Sequence, residues 1–196
     1  MSRQLFDVTV IPEGFRLTDA FLTESEEPAL TERFRELEFH ELRMRGVAAR
    51  RRVIQYGYKY SFETFKTTEG PPIPEFLLPI RDRAAEFADV PAPELSEALI
   101  TEYAPAATIG WHRDAAPFGV VVGISLLTSA RFRFRRGRTG AWETTEVHLA
   151  PRSIYVLRGP ARTEWEHSIP AVQSLRYSIT FRTLRKKSGS GIRDPD

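Results

Sequence analysis

Four histidines and no cysteine set the metal and acid–base chemistry open to this 196-residue chain. His112 opens a His-x-Asp pair in Trp111-His112-Arg113-Asp114, and His167 follows Asp114 by 53 residues. On a strand or at its end, residues two apart share a face, so the His112 imidazole and the Asp114 carboxylate can point at one ion. Alone, such a pair is more often a surface hydrogen bond. A second histidine on another strand-like segment changes that weighting. Two imidazoles and one carboxylate are the ligand set of a non-haem Fe(II) facial triad, which leaves positions for a co-substrate and O₂. His112, Asp114 and His167 are therefore the expected metal-ligating and catalytic set. His148 alternates with Val147 and Leu149 and is expected to face solvent, whereas His40 stands near an expected helix end between Glu38 and Glu41.

A second constellation lies in Arg176-Tyr177-Ser178-Ile179-Thr180-Phe181-Arg182. Strand alternation puts Arg176, Ser178, Thr180 and Arg182 on one face and three apolar residues on the other. Two arginines and two hydroxyls suit a pocket for a dianion, because arginine grips carboxylates in bidentate fashion. By itself the strand reads more readily as an exposed one with its polar side out. Beside a potential iron triad the pocket reading is the stronger.

These residues need strands to hold them, and the sequence supplies many. Thr23-Glu24-Ser25-Glu26 is a capping-box pattern, and Leu30, Phe34 and Leu37 recur at helical spacing, so a helix is expected over about 24–37. A second helix is expected from near Pro74 until Pro91-Ala92-Pro93 stops it. Arg51 to Ser61 reads as one strand. From Leu95 onward short strand-like runs follow: 98–103, 119–127, 130–136, 142–149, 153–157, 165–169 and 175–184. Helices gathered before strands predict an α+β fold, a jelly-roll β-core with N-terminal helices packed on one sheet.

Composition narrows the rest. A 41% hydrophobic fraction can fill a core, which excludes global disorder. No apolar run reaches the length of a membrane-spanning helix, and Met1 to Asp7 carries no apolar signal core. With zero cysteines, a cytoplasmic protein without disulfides is expected. The net charge of +2 does not mark a nucleic-acid binder. Arginine nonetheless outnumbers lysine 24 to 4, with clusters at Arg50-Arg51-Arg52 and at Arg131, Arg133, Arg135, Arg136 and Arg138. Base composition of the genome accounts for much of such a bias. The clusters also suit phosphate contacts.

The order His112-x-Asp114, His167, Arg176-x-Ser178-x-Thr180-Phe181-Arg182 resembles the AlkB family of Fe(II)/2-oxoglutarate-dependent dioxygenases. Glu102-Tyr103-Ala104-Pro105 looks like that family's tyrosine strand. Ser125-Leu126-Leu127, Phe132-Arg133-Phe134-Arg135, Ser153 to Gly159 and Arg162 fall in its order, and Gly57-Tyr58-Lys59-Tyr60-Ser61 resembles its substrate lid. The likeness covers about residues 50–184. Thr101 and Ser178 stand where members commonly carry asparagine, and Ala115-Ala116-Pro117-Phe118 stands where repair members place acids.

The resemblance implies a double-stranded β-helix over residues 95–184, with a lid and bracing helix at about 50–94. Together these form a single dioxygenase domain, 1–184, and residues 185–196 are read as a flexible basic tail. It implies Fe(II) on His112, Asp114 and His167. It also implies 2-oxoglutarate against Thr101, Tyr103, Arg176, Ser178, Thr180 and Arg182, with Arg176 on the distal carboxylate and Arg182 nearer the metal, and O₂ as co-substrate. Tyr58, Tyr60 and Arg162 would meet the substrate. The substrate would be an N-alkylated base in single- or double-stranded DNA or RNA, bound by a monomer that uses no membrane. The same oxidation of a protein or small molecule is the first alternative, and a non-catalytic jelly-roll binding module the second. For a cationic base, either Glu63 or Glu166 substitutes for the missing acids or selectivity for cationic bases is weak, and strand alternation, which turns Glu166 from the face of His167, favours weak selectivity.

Overall fold

The strand that carries the two arginines lies at the centre of the larger of two facing sheets. The computed structural model describes residues 11–44, 47–60 and 67–185, without the side chains of 42–44, 47–50 and 59–60. The side chains of Arg50 and Tyr60, and Glu63 and residues 186–196 altogether, thus lie outside what is described. In chain order the elements are β1 (Phe15–Thr18), α1 (Glu26–Arg35), β2 (His40–Met44), β3 (Val47–Tyr56), β4 (Tyr58–Tyr60), β5 (Thr67–Glu69), α2 (Leu78–Phe87), β6 (Leu95–Tyr103), β7 (Ile109–His112), β8 (Phe118–Leu126), β9 (Ala130–Arg138), β10 (Ala141–Leu149), β11 (Ile154–Leu157), α3 (Gly159–Thr163), β12 (Glu166–Ile169) and β13 (Arg176–Leu184). The major sheet runs β1-β11-β8-β13-β6-β3-β2 and the minor sheet β10-β9-β12-β7, while β4 and β5 pair as a separate hairpin. The described ladders are all antiparallel.

Alternation along β13 and β6 divides the interior into two cores. Tyr177, Ile179 and Phe181 of β13 and Ala98 and Ile100 of β6 face the helices, where they pack with Leu30, Phe34, Ile80, Ala84 and Ala85. The opposite face looks at the minor sheet, and Tyr103, Val121, Phe132, Phe134 and Tyr155 form the second core there. The helices therefore brace one face of the major sheet and leave the other free to build a site. Reciprocal capping bonds hold α1: the Thr23 N–H donates to Glu26 Oε2 at 2.8 Å, and the Glu26 N–H donates to Thr23 Oγ1 at 3.2 Å. Arg83 of α2 ties the helices together through Glu26 and the Phe21 carbonyl.

Several boundaries differ from the expectation. The strand expected over 51–61 breaks at Gly57, whose φ of +74° only glycine adopts freely, and where a Cβ would collide with the Ser96 carbonyl. The chain turns there into the hairpin. Pro74 starts a 3₁₀ turn, Glu75–Leu77, and the α-helix follows. His40 belongs to β2, an edge strand, rather than a helix end, and it is exposed. The strands β1, β2, β5 and β7 and the helix α3 carried no separate signal in the sequence.

Candidate active site

Cross-strand register builds the floor of the site. Directly opposed residues on neighbouring antiparallel strands share a face. Across β3, β6 and β13, Arg51 lies beside Tyr103 and Tyr103 beside Arg176; the next row is Val53, Thr101 and Ser178; the next is Gln55, Leu99 and Thr180; the last pairs Glu97 with Arg182. The first three rows and Arg182 line a cavity of about 330 Å³ between the sheets. Its opposite wall is the minor sheet, where β7 and β12 set His112 directly across from His167.

The three expected metal ligands converge there. The rings of His112 and His167 are 4.3 Å apart between centroids, and His167 Nε2 lies 3.6 Å from Asp114 Oδ2. His112 Nδ1 is 2.9 Å from the Gly110 carbonyl. A carbonyl can only accept, so the proton sits on Nδ1 and the lone pair of Nε2 is left for an ion. Burial, above all, holds His167 down to about 3 and lowers His112, so both are neutral near pH 7. Burial alone would raise Asp114, but Arg182 and the two histidines outweigh it and hold the carboxyl well below the usual range. As the side chains stand, no group of three or more His, Asp or Glu among the described residues is closed around a common point. Asp114 is engaged on one side only. Its Oδ1 accepts from Arg182 at 2.8 and 2.9 Å, while its Oδ2 is buried without a hydrogen-bond partner. A buried acceptor left over, beside two neutral imidazoles, fits a divalent cation.

The second orphan lies on the cofactor side. Arg176 is almost fully buried, and its Nε and Nη2 donate to Ser125 Oγ at 3.2 and 3.1 Å. The guanidinium stands 4.8 Å from the centroid of the Tyr103 ring, and its Nη1 is buried with no partner. A guanidinium nitrogen open to a cavity that Thr101, Ser178 and Thr180 also line fits an incoming carboxylate. Arg182 is differently engaged. Between Asp114 on one side and Glu97 at 2.9–3.0 Å on the other, both edges of its guanidinium are taken.

Sequence reasoning missed Glu97, Ser125 and Tyr155. Glu97 is fully buried and carries a charge where an apolar residue would be usual. Burial pushes its carboxyl up to about 7, with Arg182 opposing and the nearby Asp114 charge adding to the rise. Tyr155 reaches the cavity over Gly123, where any Cβ would strike its ring. The tyrosine–glycine pair is cross-strand, so no local pattern reveals it.

Other expected residues lie elsewhere. Arg162, expected at substrate, is buried and donates from Nη2 to the carbonyls of Asp114, Ala115 and Phe118 at 2.7–3.1 Å. It braces the turn behind the metal aspartate and does not line the cavity. Tyr58 is half-buried on β4 and also stands off the cavity wall. Glu166 points to the outer face of the minor sheet, where it binds Arg135 at 2.6 Å. Of the residues after Asp114, Ala115 lines the cavity and Ala116 is exposed outside it. His148 is exposed. The arginine cluster on β9 is largely neutralised: Arg131 pairs with Glu146, Arg135 with Glu166, and Arg136 with Glu143 and Glu164. Among the described residues no helix is long and apolar enough to cross a membrane.

Comparison with known proteins agrees with this arrangement. A family model described as the 2OG-Fe(II) oxygenase superfamily matches residues 16–182. The chain is similar to the uncharacterized protein L905 of Acanthamoeba polyphaga mimivirus, at 25% identity over 89% of this chain and 86% of that one. It is 27% identical to the alkylated DNA repair protein ALKBH8 homolog of Arabidopsis thaliana over 71% of this chain, and 30% identical to the DNA oxidative demethylase ALKBH2 of Mus musculus over 65%. It spans 48% and 58% of the length of those two relatives. In fold it is similar to OsALKBH1, with a TM-score of 0.73 at 17% identity over 89% of this chain and 98% of that one. It is also similar to a Pseudomonas putida prolyl-4-hydroxylase, with a TM-score of 0.60 at 16% identity over 89% and 94%. At these identities the likeness is one of fold, and it agrees with the expected jelly roll of facing antiparallel sheets. The chain belongs to the 2OG-Fe(II) oxygenase superfamily as an AlkB-like dioxygenase that uses Fe(II), 2-oxoglutarate and O₂.

Proposed function

We propose that the protein removes alkyl groups from the nitrogens of nucleobases in DNA or RNA by oxidation, with His112, Asp114 and His167 holding the iron and Arg176 the distal carboxylate of 2-oxoglutarate. One observation carries the site assignment. Of the five buried, unpartnered side-chain polar atoms among the described residues, two, Asp114 Oδ2 and Arg176 Nη1, belong to side chains lining a single cavity, one suited to a cation and the other to an anion. When bound, Fe(II) and 2-oxoglutarate with O₂ would supply hydroxylation of a substrate C–H bond, with 2-oxoglutarate converted to succinate and CO₂.

The chain's own residues prepare that chemistry. His112 is held in one tautomer by the Gly110 carbonyl. Arg182 fixes Asp114 Oδ1 and so aims Oδ2 toward His167. Tyr103 and the hydroxyls of Thr101, Ser178 and Thr180 are at hand for the cofactor's oxygens. Val121, Phe132 and Ile169 exclude water from the same volume. An N-hydroxymethyl product then loses formaldehyde and leaves the nitrogen bearing hydrogen. A base in a duplex must be extruded to enter such a cavity. The names of two relatives, an alkylated DNA repair protein homolog and a DNA oxidative demethylase, support the nucleobase substrate.

A second reading, the same oxidation of a small molecule or protein, is favoured by the glutamates that neutralise the β9 arginines, since they weaken the expected basic track. One assay separates the two. Fe(II)-loaded protein is incubated with 2-oxoglutarate and methylated DNA, RNA or nucleosides, and succinate and formaldehyde are measured together. Equal yields from an oligonucleotide support the proposal. Succinate without formaldehyde from every methylated base refutes it.

A further inference from the structure

The carboxylate subsite at Arg176 is short of donors. The Nε and Nη2 edge of the guanidinium is spent on Ser125 Oγ, and Nη1 is the nitrogen left without a partner. A carboxylate offers about four acceptor positions, so one guanidinium leaves part of it unsatisfied in a site walled from water. Tyr155 of β11 lines the same cavity from the far side of β8. Across the major sheet it stands in one row with Gly123 of β8 and Thr180 of β13. Gly123 has no side chain, and the phenol occupies that gap: a Cβ there would overlap the ring's Cζ and the hydroxyl oxygen. The ring packs against Phe15 and Phe132, at 6.1 and 4.9 Å between centroids, and the residue is 8% exposed. Its hydroxyl has no hydrogen-bond partner among the described residues. A buried phenol usually finds one. The hydroxyl lies over Gly123 and the Arg176 guanidinium against Ser125, and these two positions are alternate residues on one face of β8. That step is about 7 Å. One carboxylate bridges such a gap by accepting from a donor at each end.

We propose that Tyr155 binds 2-oxoglutarate, its hydroxyl donating to the same distal carboxylate that Arg176 holds. The inference rests on the placing of that carboxylate at Arg176 and adds a donor to its shell. The phenol keeps its proton at neutral pH, and burial holds that proton more firmly still, so the group enters as a donor. Gly123 is part of the device, because its missing side chain is the space through which the phenol reaches the anion.

Calorimetric titration of the Mn(II)-loaded protein with 2-oxoglutarate reads the contact without turnover. Tyr155→Phe removes one hydroxyl and keeps the ring, and it is expected to raise Kd about tenfold, the worth of one hydrogen bond to a charged group. 2-Oxopentanoate has the same chain length and the same keto acid but a methyl in place of the distal carboxylate. Wild type and Tyr155→Phe are expected to bind it alike, as read by competition. The metal-free variant should melt at the wild-type temperature or above it, because the hydroxyl has no protein partner to lose. Arg176→Gln tests the underlying assignment and should weaken 2-oxoglutarate binding in its turn. An Arg176→Gln protein that binds weakly beside a Tyr155→Phe protein that binds like wild type overturns this inference and leaves Arg176 in place. Unchanged binding in both variants overturns the two together. A Tyr155→Phe deficit equally large with 2-oxopentanoate, or a lowered melting temperature, assigns the hydroxyl to the shape of the cavity or to the fold and also overturns the proposal.

Discussion

Replacing Glu97 by glutamine tests whether the buried Glu97–Arg182–Asp114 chain serves the metal or only the fold. Glutamine keeps the shape and removes one charge. In the native protein Arg182 Nη1 lies 2.9 Å from Glu97 Oε2, and Nη2 lies 2.8 Å from Asp114 Oδ1, with each carboxylate side chain almost wholly buried. Removing one partner of a buried pair is costly when the other charge is stranded, typically about 3–5 kcal/mol. Here Arg182 keeps Asp114, and burial already holds the Glu97 carboxyl up to about 7, so the neutral glutamine is expected to cost little at pH 7, about 1 kcal/mol or less in unfolding free energy. The consequence at the site is separate. With Glu97 neutral, the whole charge of Arg182 falls on Asp114, which becomes a poorer donor to a cation. An outer partner of this kind is worth about 10–100-fold in metal affinity. Urea unfolding of the metal-free protein gives the first quantity and titration with Mn(II) the second. Glu97→Asp keeps the charge but leaves a gap, so it should restore metal affinity more than stability. A Glu97→Gln protein that is destabilised yet binds Mn(II) like wild type would refute the positioning argument.

Arg176→Ala should raise the KM for 2-oxoglutarate by about two orders of magnitude, since a charge-assisted carboxylate contact is lost in a confined site; steady-state kinetics at saturating substrate checks this. His167, held near 3 in the fold, takes up protons in the unfolded chain first, so its share of stability is full above pH 6.5 and falls as pH drops toward 3, by about 1.4 kcal/mol per pH unit. Glu97, raised to about 7, acts oppositely between pH 4.5 and 7, so urea unfolding of metal-free Glu97→Gln should show a steeper acid loss than wild type. Gly123→Ala should cost about 1–3 kcal/mol in thermal or urea unfolding and disturb 2-oxoglutarate binding, because the added methyl displaces the Tyr155 ring. His148→Ala, at an exposed position, should leave Mn(II) affinity unchanged in the same titration.

Much of this was legible in order and type alone. Period-two alternation in 176–182 separates a polar from an apolar face without any knowledge of neighbours, and the structure uses both faces as that pattern requires. The His-x-Asp spacing and the later histidine name a ligand set because few residue types bind iron. The capping box at Thr23 and Glu26 is local, so it too is written in adjacent residues.

What the tertiary structure decided depends on register across strands far apart in sequence. That Glu97 meets Arg182, 85 residues on, follows from the β6–β13 ladder and from no local motif. The same ladder, extended to β3, turns Arg51 from one of three clustered arginines into part of a cavity wall. The β9–β10 and β9–β12 pairings convert most of the second arginine cluster into ion pairs, against its reading as a phosphate track. Arg162 has the residue type of a substrate contact but points into carbonyls that only the fold brings to it. Residue type and spacing determine which chemistry the chain can do. Side-chain partnership is set by long-range strand register, and that register decides which charges remain available to do it.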